Sequence, residues 1–398
     1  MPKFAIHDDL KVLMRNHYLA PKVTRYFGKK VAWVTSGAPV EVLVALGVKP
    51  IYPENHGAIC GARKVAPDLH RLSEGAGYSS EICSYARADI GFQLGGKSPI
   101  PLGGMPRPDF VVACNNICNT VTKWFERTAE LQGVPFYLID TPVIHDRLQP
   151  HTVAYVKAQL EALAAWAEPL SGKRLTDKRL RETAKNAQEN VDAWTEVLEE
   201  NMQRPALFSC FDAFVFMMPI VSMRGNAYVT EFFRKLKREL GERRKAGQFL
   251  LKNERRRLVW DNIPIWFQIG ALSRFFKEHD TVLVADTYTH AWAGHTFGAD
   301  DLFEGAARAY TDIYLNQSIH ARMAKVQHLV DKFGADGFVM HSNHSCKPYS
   351  IGQYPVKEEV TRRTGKPGVV IEGDMTDPRY FTESQSTQRL QALVEAIG

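Results

Sequence analysis

Short unbroken apolar blocks alternate along this chain with longer stretches whose apolar positions recur every three or four residues. The blocks fall at residues 31–36, 48–52, 109–113, 135–139, 281–285, 338–341 and 369–371. Runs of this length without polar alternation suit strands covered on both faces, as in a parallel sheet. Helical spacing fills residues 40–46, 67–76, 119–132, 266–278, 319–333, 350–364 and 387–397. Pro67 suits a first helical turn, and the glycines at 75 and 77 suit its end. Strand, helix and strand in turn predict α/β units. Between them, residues 151–203 read as helical throughout, and residues 91–108 break regular structure with Gly and Pro. The expected architecture is α/β, with two Rossmann-like (flavodoxin-like) parallel-sheet units and a helical segment between them. The boundaries fall at 1–150, 151–262 and 263–398.

Two of these stretches read like copies. Asp109-Phe-Val-Val-Ala113 leads to Cys118, a helix, and then Pro135-Phe-Tyr-Leu-Ile-Asp140. Asp336-Gly-Phe-Val-Met340 leads to Cys346, a helix, and then Val369-Val-Ile371-Glu-Gly-Asp374. Each copy sets a cysteine where a strand ends and a helix begins. Open α/β sheets bind ligands at that edge, and helix N-termini favour thiolate. A third cysteine, Cys83, follows Ser79-Ser80-Glu81-Ile82, where either serine can cap a helix. Three converging thiolates predict a metal centre with one open position. Without paired histidines or a Cys-x-x-Cys step, such a set suits iron–sulfur chemistry better than zinc.

Composition narrows the remaining choices. The 398 residues carry 50 Lys and Arg against 44 Asp and Glu, a formal charge of +6. Much of that excess lies at 233–257, where interspersed glutamates suggest a solvated helix face. No motif accompanies the charge, so nucleic acid is not an expected partner. No apolar run approaches the roughly 18 residues of a membrane span. The first residues lack an apolar signal core, and the expected location is cytoplasmic. Six cysteines are too sparse for a disulfide scaffold. Each is core filler, nucleophile or metal ligand. Cys114 ends a strand and competes with Cys118 as second ligand. Cys210 lies among Phe and Met and reads as core, and Cys60 reads as a turn residue near the site.

Glu54 and His56 follow the strand at 48–52 and so reach the same sheet edge. They are candidates for acid–base or substrate contacts. His341 and His344 flank the Cys346 loop in the same way. The segment Phe208 to Met218 reads as core or as one wall of an apolar pocket. No Walker-type phosphate loop is present, so ATP is not an expected ligand of this chain.

At these residues the sequence resembles a known family. Tyr52-Pro-Glu-Asn-His56, Cys83-Ser-Tyr85, Ile117-Cys118-Asn119, Ser345-Cys346-Lys-Pro-Tyr-Ser350 and Glu372-Gly-Asp374-Met-Thr-Asp377-Pro-Arg-Tyr-Phe381 look like the catalytic subunits of the benzoyl-CoA reductase / 2-hydroxyacyl-CoA dehydratase family. The likeness runs from about Lys29 to the C-terminus. It implies a [4Fe–4S] cluster on Cys83, Cys118 and Cys346 with one iron open. The family's second ligand is followed by an Asp-like step, where this chain has Asn119. The resemblance also implies an acyl-CoA substrate, a related second catalytic subunit and an ATP-dependent iron–sulfur activator protein. The implied activity is either dehydration of an (R)-2-hydroxyacyl-CoA or reduction of an aromatic acyl-CoA ring. Two other readings stand beside it: a non-catalytic scaffold subunit of such a complex, and a metal-free, two-lobed small-molecule binding protein.

Overall fold

The computed structural model describes residues 4–297 and 301–398. The chain is an α/β protein with two Rossmann-like parallel-sheet units. The first sheet holds β1 (Val31–Val34), β2 (Lys49–Ile51), β3 (Phe110–Cys114) and β4 (Phe136–Ile139). The second holds β5 (Arg256–Asp261), β6 (Thr281–Asp286), β7 (Gly337–Asn343) and β8 (Gly368–Gly373). The spatial orders are β2-β1-β3-β4 and β6-β5-β7-β8, with every pairing parallel. Both orders reverse direction between the first and third strands. That reversal opens a crevice at the carboxyl ends of β1 and β3, and of β5 and β7, where ligands of such sheets bind.

The two-residue period of each strand sorts the cores. Ala32 and Val34 pack with the helices Pro150–Ser171, Asp177–Glu199 and Ala227–Lys245. Val31 and Trp33 pack with the helix Asn119–Gln132 on the other face. The middle helices therefore complete the first sheet's core. In the second sheet, Val259, Phe338 and Met340 meet the helices Ile319–Lys332 and Gln353–Thr364. Leu258, Trp260 and Val339 meet Cys210–Phe216, Ile269–Glu278 and Glu383–Ile397. Among the described residues no helix is long and apolar enough to cross a membrane.

Three expectations need correction. The second sheet begins at β5, ahead of the boundary placed at 263. Its first residues, Arg256 and Arg257, disguise it as part of a basic helix face. Arg257 is buried, donates to Gln203 O at 2.9 Å and pairs with Glu254 at 3.3 Å. Second, Cys60 lies on the helix Pro53–Ala62, together with Glu54 and His56, rather than in a turn. Third, a helix from Ser84 to Gln93 runs into the Gly- and Pro-rich stretch. Gly91 is required there: a Cβ would come 2.0 Å from the Leu69 carbonyl oxygen of the crossing helix Ala66–Gly75.

Candidate active site

Each candidate ligand stands at the N-cap of a helix. Cys83 precedes Ser84–Gln93, Cys118 precedes Asn119–Gln132, and Cys346 precedes the single turn Lys347–Ser350. A sulfur thus occupies the place where Ser, Thr, Asp or Asn usually caps the free N–H groups. None makes a close capping hydrogen bond. Burial raises all three thiols above the ordinary range, Cys346 to about 12. Cys118 and Cys346 push Cys83 further up, and Cys118 does the same to Cys346. The N–H groups of Ala86, Val121 and Tyr349 act in the opposite sense on Cys83, Cys118 and Cys346 respectively. Three thiols placed to repel one another as thiolates form a site that a bound cationic group relieves.

All three line one cavity of about 130 Å³ between the carboxyl edges of the two sheets, room for roughly ten waters. Its walls are mainly aromatic and apolar, with Tyr85, Trp124, Tyr288, Trp292 and Met375 among them. The other cysteines lie elsewhere. Cys114 ends β3, buried, with its thiol 3.3 Å from Thr141 Oγ1. Cys60 lies 3.5 Å from His56 Nε2, and Cys210 is in the core of the second unit. Among the described residues, no three His, Cys, Asp or Glu side chains are grouped to hold a single metal ion.

Glu54 also reaches this cavity, from the first turn of the helix after β2. Its carboxylate accepts the Ser36 N–H at 2.6 Å. Burial raises its pKa to about 7 against the pull of that hydrogen bond, and Asp89 adds to the rise. His56 is turned away. Its Nε2 lies 2.9 Å from Ser98 Oγ and its ring packs on Phe92. Burial lowers it to about 4. His341 is buried in β7 with Nδ1 2.7 Å from the Ile263 carbonyl oxygen. His344 stacks on Tyr380 and pairs with Glu81 at 3.1 Å. The structure therefore brings Glu54 and three cysteines together and leaves the histidines outside.

Sequence reasoning missed several supporting residues. Ser36 follows β1 and holds Glu54. Buried Arg224 braces that turn through the carbonyl of Ala38 at 3.2 Å, and bonds the Tyr310 hydroxyl at 2.7 Å. Ser345 joins the two units: its Oγ accepts the Ser84 N–H at 3.0 Å and donates to Asp374. Cys83 and Cys346 are thereby sewn together through their neighbours. Arg87 and Asp377 add a buried ion pair at 2.8 Å between the same units. The only sequence signal for these was a polar residue beside a candidate ligand or at a strand end.

Residues 35–397 match the family described as 2-hydroxyglutaryl-CoA dehydratase, D-component. The chain is 33% identical to lactoyl-CoA dehydratase subunit alpha of Anaerotignum propionicum, over 93% of this chain and 91% of the relative. It is 34% identical to the (R)-2-hydroxyisocaproyl-CoA dehydratase alpha subunit of Clostridioides difficile, covering 93% and 90%. A benzoyl-CoA reductase subunit of Thauera aromatica is 28% identical, covering 97% and 93%. On this match and the paired sheets, the chain belongs to the 2-hydroxyglutaryl-CoA dehydratase D-component family.

Proposed function

We propose that this chain carries a [4Fe–4S] cluster on Cys83, Cys118 and Cys346 and dehydrates an (R)-2-hydroxyacyl-CoA. The observation that carries the reading is three thiols and one carboxyl in a single, otherwise largely apolar cavity. When bound, the cluster supplies a low-potential electron and an open iron acting as Lewis acid. That electron would permit ketyl-radical chemistry at a thioester carbonyl, being returned once the neighbouring hydroxyl and a proton of the next carbon had left as water.

The chain's own residues then have distinct tasks. Glu54, with a pKa near 7, can hold or release a proton beside the reacting carbons. Ser36 fixes its orientation through the backbone N–H. The apolar walls exclude water from a radical. Among the described residues they contain no Lys, Arg or His, so a second carboxylate on the acyl chain would lack a counter-charge there. A small apolar or aromatic acyl group is the better fit. Reduction of an aromatic acyl-CoA ring is the second reading, and the aromatic walls suit it too. Identities of 33% and 34% to dehydratase subunits that act on lactoyl- and 2-hydroxyisocaproyl-CoA, against 27% to a 2-hydroxyglutaryl-CoA dehydratase subunit and 28% to the reductase subunit, favour dehydration of a substrate without a second carboxylate. A scaffold role would not require the full set of three cysteines and Glu54. A related second subunit, an ATP-hydrolysing iron–sulfur activator and a cytoplasmic setting complete the proposal.

Protein purified without oxygen should contain about four irons and four sulfides per chain. With activator, reductant and second subunit added, it should release water from a 2-hydroxyacyl-CoA. Iron-free protein would sink the cluster. Turnover of an aryl-CoA alone would replace dehydration with ring reduction.

A further inference from the structure

A second pocket, of about 480 Å³, lies at the amino edge of the first sheet, the end opposite the cysteines. Its size is within the range of small-molecule sites. Open α/β sheets place their usual ligands at the other edge, so the fold alone does not account for it. Lys29, just before β1, and Lys49, which opens β2, line it together with His17 of the helix Ile6–Thr24. Val44, Met223 and Tyr228 supply apolar and aromatic wall. Among the described residues no carboxylate lines it.

The basic groups here have no acidic partner among the described residues. His17 is 2% exposed and neither ring nitrogen has a hydrogen-bond partner. Its pKa is lowered by burial first and by Lys49 second. Lys49 is held down to about 8 by burial. Lys173 enters the same rim over Gly47, where a Cβ would stand 2.7 Å from its Nζ. Lys29 lowers the pKa of Lys173, as one cation does to another beside it. Among the described residues none of these three lysines has an ion-pair partner. Lys49 is held largely away from water while Lys29 stands exposed at the rim. A desolvated cation without a counter-ion is costly, and a bound anion would remove that cost. Fixed cations beside an apolar wall match a phosphate joined to a flat ring.

We propose that this pocket binds a phosphorylated small molecule, with its phosphate among Lys29, Lys49 and Lys173 and its apolar part against Val44, Met223 and Tyr228. Two sources share that chemistry. One is the phosphate-bearing adenosine end of the acyl-CoA, which rests on the function proposed above. Residues 221–223 connect the two sites: Val221 lines the cysteine cavity, and Ser222 and Met223 line this pocket. The other source is a free phosphorylated effector.

Calorimetry on the full-length, oxygen-free protein with adenosine 3′,5′-bisphosphate and with inorganic phosphate tests the site. The bisphosphate should bind, Lys49→Met should weaken it about tenfold, and Lys29→Ala several-fold. A thermal melt establishes that Lys49→Met is folded, and Lys29→Ala tests the pocket independently. If the occupant is the substrate, KM for acyl-CoA rises about tenfold in Lys49→Met while iron content and kcat hold. If it is a free effector, bisphosphate binding weakens in the same variants and KM does not move. No binding of either probe by the unmutated protein, or equal binding by the variants, overturns the site. Missing iron or turnover alongside intact bisphosphate binding would instead strike the function proposed above.

Discussion

In both sheets the third strand in sequence leads into a cysteine at a helix start, Cys118 after β3 and Cys346 after β7. The loops after the first strands differ. After β1, Ser36 turns its N–H to Glu54, and both face the cavity. After β5, Asp261 accepts from Thr287 at 2.7 Å and Tyr314 at 3.1 Å, while Asn262 donates to the His341 carbonyl. Polar groups at the second edge are thus absorbed in holding its own loops. One topology used twice places two thiols symmetrically. The asymmetry lies in which polar groups reach the cavity: Ser36 and Glu54 of the first unit do, and under the proposed function they would handle protons while the second unit encloses.

The largest effect should come from the matched cysteines. Cys118→Ala and Cys346→Ala should each abolish iron binding and turnover, although one caps a long helix and the other a single turn. Cys114→Ala should keep both, because its thiol faces Thr141 inside the sheet. Iron lost in Cys114→Ala and kept in Cys118→Ala would break the correspondence between the β3 and β7 loops.

Next in size is the seam between the units. Arg87 and Asp377 are 0% and 1% exposed. Arg87→Met leaves a buried carboxylate with reduced compensation, which typically costs 3–5 kcal/mol. Arg379 still pairs with Asp377, so about 3 kcal/mol is expected from urea unfolding. Values under about 1 kcal/mol would mean that the units are held chiefly by apolar contacts.

The unequal roles of the two edges are tested by Glu54→Gln against Tyr288→Phe. Glutamine still accepts from Ser36 N–H, so iron should be retained. Turnover should fall on the order of a hundredfold, the low end for a positioned acid or base. Tyr288→Phe, on the enclosing wall, should cost only a few-fold. Equal losses would erase the division of labour.

Much of this was legible in the sequence where local chemistry and topology coincide. Strand blocks at 109–113 and 281–285, and helices such as Asn119–Gln132, rest on periodicity that tertiary packing reinforces. The place of Cys118 at a helix start on the cavity was readable because the strand and helix patterns meet there. β5 was not readable, since a buried arginine at its start looks like surface until Glu254 and Gln203 are in place. His56 misled for a related reason. Its position after β2 is the site edge, but two residues of helix rotate it roughly 200° from Glu54, at about 100° per residue. Ser345 and Arg224 act across more than 180 residues of sequence, which no local pattern records.

The smallest effect tests how the first unit aligns its two cysteine helices. Asp89, on the helix Cys83 caps, accepts Trp124 Nε1 at 2.7 Å and Thr128 Oγ1 at 3.3 Å, both on the helix Cys118 caps. Burial raises its pKa to about 7 despite these hydrogen bonds. The folded state therefore keeps a proton that the unfolded chain releases near pH 4. Stability should fall as pH rises from about 4 to 7 and level off above. Between pH 5 and pH 7 that contribution is on the order of 2 kcal/mol. Asp89→Asn keeps one accepting oxygen and cannot ionise, so it should lose this slope. The difference between wild-type and variant urea midpoints at the two pH values isolates it from other groups. A difference that stays constant with pH would mean that Asp89 is ionised throughout, tying the two helices as a buried anion.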